Sequence, residues 1–346
     1  MLLPVSPGRI AGGRRGLRLV IALVLLTGIS PRTAGAGGLP VVPFYTRDQG
    51  PFTQGSGFPP PEGGDLTPAG SWETRLVFDI SNCDNLENRP GESLRLDGET
   101  YRTTLALRYG LLPRMEVGLD IPFIAHSPGF LDGFVDTFHK WTHLGPRKTD
   151  KYRLDYSYGR DGGSIIDIRN STSGIGDILL SIGYPLYRTE EPSHRAIAIR
   201  AGLKLPTGEE RALRGSGGVD LSLRLSGTDG ATLSRWNLTY YGMAGVLMMG
   251  PGDLLEDQRR RSTWFGATGI GWNAISWLAL KVQVDMHGTI YRGSDTNVLN
   301  LWVLQLVTGG SIALPWESVL DFGLSENVFH ETSPDETFHF ALRKRF

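Results

Sequence analysis

A single cysteine, Cys83, stands in 346 residues. That excludes a disulfide framework within the chain, a four-cysteine zinc site and any Cys-x-x-Cys redox motif. Positive charge is not in excess either: 35 Lys and Arg face 36 Asp and Glu. Without a basic tract, nucleic acid has little electrostatic footprint to bind. Apart from one N-terminal stretch, no run approaches the roughly 18 apolar residues of a membrane-spanning helix. No Walker motif or dinucleotide fingerprint is present, and Gly215-Ser216-Gly217-Gly218 reads as turn material. What the chain does have is glycine, 46 residues of it, with eight Trp, eleven Tyr and fourteen Phe. That composition suits many short strands joined by turns.

Arg14, Arg15 and Arg18 precede an apolar run over 19–29, and Ala34-Gly35-Ala36 follows as a small-x-small cleavage site. This is the three-part pattern of a secretory signal peptide over residues 1–36, too short to be a spanning anchor. No cysteine stands at the cleavage point, which argues against a lipidated N-terminus. Removing the leader takes away five Arg and no acid, leaving 30 bases against 36 acids and a charge of −6. Cys83 is then expected as a lone thiol in a loop of an exported protein, with a partner in a second chain as the lesser alternative.

Residues 37–71 are rich in Pro and Gly and cannot build a core. They read as an extended periplasmic arm with Phe44, Tyr45, Phe52 and Phe58 as docking points. From residue 72 the texture changes to alternation. Trp72, Thr74, Leu76, Phe78 and Ile80 fall on one face, Glu73, Arg75 and Asp79 on the other. Met115, Val117, Leu119, Ile121 and Phe123 likewise oppose Glu116 and Asp120. Period two places successive side chains in opposite environments. Twelve strands are predicted, over 72–80, 100–109, 114–123, 174–187, 195–205, 217–226, 234–248, 262–274, 277–290, 298–314, 318–327 and 337–346.

Connections between them alternate long and short, beginning with 81–99, 110–113, 124–173 and 188–194. An even number of strands with long loops on one side and short turns on the other is the pattern of an up-and-down barrel in the outer membrane. Aromatic residues near strand ends (Trp72, Phe123, Tyr184, Tyr187, Trp236, Tyr240, Trp277, Tyr291, Trp316) suit interfacial girdles. Twelve strands also enclose more volume than apolar side chains comfortably fill. The expectation is an all-β, transmembrane antiparallel barrel over 72–346. The 81–99 and 124–173 loops would face outward from the cell, and both termini the periplasm.

The chain ends on an alternating strand with Phe338, Phe340, Leu342 and Phe346 on one face. A terminal aromatic on such a strand resembles the assembly signal of Gram-negative outer-membrane barrels. Gly174-Ile175-Gly176-Asp177-Ile178, Leu203-Lys204-Leu205-Pro206-Thr207-Gly208 and Thr332-Ser333-Pro334-Asp335, in that order before the terminal Phe, are similar to an uncharacterised family of such barrels. The resemblance covers most of the mature chain. It implies an outer-membrane location, with lipid, lipopolysaccharide and the barrel-assembly machinery as partners, and carries over no catalytic residue. Lys344 departs from the apolar face, where a lysine near the rim can reach water.

The candidate chemistry is sparse. His139 and His143 stand at i, i+4 spacing, but no Glu lies between them and no third ligand can be named. His330, Glu331 and Ser333 form a loose hydrolytic trio with no spacing that forces base and nucleophile together. His287 beside Asp285 falls on the polar face. Phe130, Phe134, Phe138 and Trp141 at helical spacing suggest a loop helix packed on the barrel rim or a greasy gate. Arg259, Arg260 and Arg261 read as a solvated charge run, or as a contact for lipopolysaccharide phosphates. No metal or other cofactor is implied.

The polar face carries the stronger signal. It presents Glu73, Asp79, Glu116, Asp120, Asp177, Asp220, Asp285 and Asp321 against Arg75, Arg102, Arg108, Arg200, Lys204, Arg224, Lys281, Arg343 and Arg345. Charges in a narrow lumen must pair or be solvated, so near-balance suggests a salt-bridged interior rather than a strongly ion-selective pore. The expected role is a narrow, porin-like channel or transporter for a small solute, or a structural barrel. The alternative is a lipid-acting outer-membrane enzyme using a loop histidine.

Overall fold

The computed structural model describes residues 39–129, 153–189, 194–328, 332 and 334–346. Fifteen strands form one antiparallel sheet. In chain order they are β1 (Trp72–Arg89), β2 (Glu92–Leu112), β3 (Met115–Ser127), β4 (Asp155–Arg160), β5 (Gly163–Ile168), β6 (Thr172–Ile175), β7 (Ile178–Thr189) and β8 (Arg195–Leu205), followed by β9 (Asp220–Asp229), β10 (Leu238–Met249), β11 (Ser262–Ile275), β12 (Leu278–His287), β13 (Val303–Leu314), β14 (Ser318–Asn327) and β15 (Glu336–Arg345).

Twelve of these close a barrel. Each pairs with the next along the chain, β3 passing directly to β7, and β1 pairs with β15 from Glu73↔Arg345 to Asn82↔Glu336. Closure leaves no edge with unpaired backbone groups, as a barrel in lipid requires. No helix among the described residues is long and apolar enough to cross a membrane; the crossing elements are strands.

The direction of the alternation is plain in the burial. Glu73, Asp79, Arg102, Arg108, Glu116, Asp120, Arg200, Lys204, Arg224 and Lys281 are buried. Phe78, Phe123, Ile182, Leu221, Leu223, Leu225, Val246, Leu280 and Val282 are exposed. A water-soluble barrel would have the opposite polarity. Apolar outside and polar inside is the transmembrane arrangement. Trp72, Tyr184, Tyr187, Trp236, Tyr240, Trp277 and Trp316 project outward among the expected aromatics. Tyr291 does not: it is 1% exposed, and its hydroxyl donates to the Phe52 carbonyl at 3.0 Å.

The 81–99 segment, expected as a loop, continues β1 and β2 as a ladder paired to Arg89↔Glu92. Its turn uses Pro90 followed by Gly91 at φ +78°, a conformation that suits proline then glycine. β4 and β5 form a hairpin that extends this sheet through Glu92↔Arg160 to Asp97↔Asp155, and β6 adds to β3. These three strands lie within 124–173 and its continuation, where no strand before 174 is expected from the sequence. The aromatic helix expected over 129–141 lies outside the described residues but for its first position.

At this loop end the interior changes character. Leu94, Leu96, Tyr156, Tyr158, Ile166, Leu254, Ile290 and Leu299 pack into one buried apolar cluster. Cys83 belongs to it, fully buried on β1. The thiol is therefore in a strand rather than a loop, and no second chain can reach it without unpacking the cluster.

Candidate functional site: the filled lumen

Residues 39–71, expected as an arm on the periplasmic side, run inside the barrel. The segment enters at the end with the short turns, climbs to the loop end, reverses and returns to Trp72. On the way up it follows β12 at a constant offset. Lys281 Nζ donates to the Val42 carbonyl at 3.2 Å, and the Phe44 N–H to Gln283 Oε1 at 2.9 Å. Thr46 Oγ1 donates to Asp285, and Asp48 Oδ2 lies 3.0 Å from His287 Nε2. The match arises because an extended arm and a strand advance at nearly the same rise per residue.

The bend of the arm packs Phe52 and Phe58 into the apolar cluster at the loop end. The return leg descends β9 and β8. Lys204 Nζ donates to the Gly55 carbonyl at 3.0 Å, and the Gly57 N–H to Asp220 Oδ2 at 2.9 Å. Lower down, the Gly64 N–H donates to Thr228 Oγ1 at 3.0 Å, and the Thr67 N–H to Glu116 Oε2 at 2.7 Å. Gly64 lies so near the wall that an added Cβ would sit 2.0 Å from the Ala196 carbonyl oxygen. Only glycine fits there.

The sequence-predicted charged residues meet as follows. Arg75 and Arg345 donate to Glu73 at 2.6 and 2.8 Å. Arg108 donates to Asp120 at 2.7 Å, and Arg200 to Glu116 at 3.1 Å. Lys204 bridges Asp177 at 2.7 Å and Asp220 at 3.4 Å, and Lys281 meets Asp321 at 3.0 Å. Others turn to the arm for a partner. The carboxylate that Arg224 meets is Glu62 of the arm, which Arg108 also engages at 2.8 Å. Arg102 donates to the Gln54 carbonyl at 3.4 Å and pairs with no carboxylate among the described residues. Asp79 accepts from Gln49 at 3.1 Å and lies 2.7 Å from His339 Nδ1. Asp285 takes Thr46 and, at 2.8 Å, Gln283.

Sequence reasoning missed the arm's half of this network. Its one base, Arg47, and three acids, Asp48, Glu62 and Asp65, give it the charge opposite to the slight basic surplus of the wall. That complementarity is written in the sequence, but Pro and Gly richness reads first as a solvated linker. Arg259 was also misread. It is buried, and its guanidinium meets Asp220 at 2.7 Å, so it neither forms a solvated run nor faces outward toward phosphates.

Four histidines are described. His287, His339 and His194 each face a carboxylate, the last Asp65 at 2.8 Å, and His126 contacts Thr100 at 2.9 Å. His139, His143, His330, Glu331 and Ser333 lie outside the described residues. Among the described residues no group of three or more His, Cys, Asp or Glu could hold a metal ion.

Free space is found at the turn end. A cavity of about 700 Å³ there is bordered by the arm's two ends, with Arg188, His194, Arg343 and Arg345 among its lining. A smaller one of about 40 Å³ adjoins it, sharing Val42, Asp65, Thr228, Arg343 and Arg345, and reaches Glu62, Arg108 and Arg200.

Among solved structures, an outer-membrane channel from Pseudomonas putida F1 has a similar fold. It superposes with a TM-score of 0.54 at 14% identity, covering 82% of this chain and 98% of that one. Lower similarity is found to CdiB from Acinetobacter baumannii, with TM-score 0.38, 12% identity and 80% and 60% of the two chains. A monoaromatic hydrocarbon channel, CymD, gives TM-score 0.37 and 13% identity over 81% and 88%. No curated protein matches the sequence. A family model described as a protein of unknown function (DUF3187) matches residues 21–346, nearly the whole length, and the chain belongs to that family.

Proposed function

We propose that the protein is an outer-membrane channel or transporter for a small solute, held closed by residues 39–71. The 1–36 leader would direct export and then be removed, so that the arm forms the N-terminus of the mature protein.

One observation carries this reading: the manner in which the lumen is filled. A permanent core would be apolar or laddered into the sheet. Apart from apolar packing at Leu39, Val41, Tyr45, Phe52 and Phe58, the arm instead touches the wall through side-chain hydrogen bonds and ion pairs, and among the described residues its one backbone bridge is Ala69↔Gly110 at the very end. Polar contacts of this kind can be exchanged for water at modest cost, whereas an apolar core cannot. The fold shared with an outer-membrane channel supports the same reading. No geometry among the described residues favours the lipid-acting enzyme.

The test is conductance of the full chain, purified from outer membranes with its N-terminus sequenced, in planar bilayers. The wild type is expected to begin near Gly37 and to open rarely. Gly64→Val, which cannot seat the arm against β8, is expected to raise mean conductance at least tenfold. A Gly64→Val barrel whose arm is open to protease but which passes no current would refute the channel reading.

A further inference from the structure

Glu62 is held as a bound ligand would be. Its carboxylate is 4% exposed and bridges two strands, with Oε1 accepting from Arg108 Nε of β2 at 2.8 Å and Oε2 from Arg224 of β9. Arg200 of β8 donates to two carbonyls that follow it in the arm, Gly63 at 2.7 Å and Asp65 at 2.6 Å. The three arginines are not equivalent without the arm. Arg108 would keep Asp120 and Arg200 would keep Glu116. Arg224, 2% exposed, would be left with no carboxylate among the described residues. A guanidinium fixed on a wall and facing a low-dielectric lumen must find an anion or water, and its planar fork matches a carboxylate.

We propose that Arg108 and Arg224 form a carboxylate-binding site that Glu62 fills in the closed state, and that a small organic carboxylate competes for it. The site rests on the reading of the barrel as a channel closed by its arm, and it supplies the solute class: molecules bearing a carboxylate. Access exists without unfolding. The 40 Å³ cavity beside Glu62 borders the 700 Å³ cavity at the turn end. There Arg188, Arg343 and Arg345 outnumber Asp65, so anions are favoured on entry. The site encloses the planar carboxylate of Glu62 between Arg108 and Arg224, a shape that suits another carboxylate better than tetrahedral phosphate.

Chemical rescue tests the site without any current. In Glu62→Ala, formate or acetate is expected to raise the thermal unfolding midpoint in detergent saturably, on the order of a few degrees at a hundredfold excess over Kd. Chloride and phosphate at equal ionic strength should not. The double variant Glu62→Ala with Arg224→Gln should lose the rescue, and the wild type, whose site is filled, should show little of it. Should Glu62→Ala fail to fold, competition in the wild type serves instead: formate should expose the arm to protease at lower concentration than chloride does. The proposal falls if chloride works as well as formate in either format, or if rescue survives the loss of Arg224. A barrel that never conducts yet shows formate-specific rescue would retain the site and lose the channel. Conduction without rescue would do the reverse.

Discussion

Leu119 and Asp120 are consecutive on β3, and Asp120 stands directly opposite Ala106 of β2. Asp120 is buried against Arg108 and accepts from the Tyr45 hydroxyl at 2.7 Å, while Leu119 faces the other way. Ala106 is 1% exposed and packs in a small cluster with Tyr45, Val77 and Ala341. The alternation of acid and apolar residues was legible in the sequence; period two is indifferent to which face meets solvent, so its sense had to be read from the aromatic residues at strand ends, the number of strands and the terminal strand, and the burial agrees with it. Volume decides it experimentally. Leu119→Phe is expected to change stability in bilayers by less than about 1 kcal/mol, since lipid sets no limit on side-chain size. Ala106→Phe must displace Tyr45 and is expected to cost about 1–3 kcal/mol. Reversible denaturant unfolding in lipid vesicles measures both, and the opposite order would place the apolar face inside.

Among the elements, the strands whose inward residues are charged were easy to read, and those that leave the membrane were not. Along β1 and β2 the inward positions run from Glu73, Arg108 and Arg102 to Cys83, Leu96 and Leu94, so the polarity of the pattern reverses midway. A reader looking for one sense of alternation stops at the reversal, and so takes 81–99 for a loop. The extended ends of β1 and β2 also bind the 288–302 connection through carboxylates. Glu87 accepts from the N–H groups of Asn297 and Val298 at 2.8 and 3.2 Å. Glu92 accepts from Tyr158 and Ser294, both at 2.9 Å, and from the Asp295 N–H at 2.8 Å. Burial alone would raise the Glu92 carboxyl, but these donors outweigh it and hold the group below its ordinary value. A carboxyl depressed on folding stabilises at pH above its unfolded value and loses that contribution as pH falls through the folded one. Amides of 295–300 are therefore expected to stay protected from hydrogen exchange near pH 6 and to lose protection toward about pH 3. Glu92→Gln should weaken protection at both. Protection unchanged between the two pH values in the wild type would contradict the role given to this carboxylate.

For the molecule as a whole, closure depends on the pairing of its last strand with its first. Phe338, Phe340 and Leu342 of β15 stand opposite Ile80, Phe78 and Leu76 of β1 on the lipid side. The ladder ends where the Phe346 N–H donates to the Trp72 carbonyl at 2.8 Å and the Trp72 N–H returns to Phe346 at 3.1 Å. The Phe346 ring remains 47% exposed, with Lys344 Nζ 4.8 Å from its centroid at the turn-end rim. A ring that exposed makes few contacts within the barrel itself; the role proposed for it is to offer a recognisable end to the closing strand while that strand is still unpaired. Deleting Phe346 is accordingly expected to reduce folded barrel recovered from cells about tenfold or more, while refolding of the purified chain into detergent changes little. Phe346→Tyr, which keeps the ring, should assemble at a near-normal level. Heat-modifiable migration on gels separates folded from unfolded chain in both settings. Normal assembly of the deletion in cells would mean that the terminal residue is read by nothing, and equal losses in cells and in detergent would mean that it acts through stability instead.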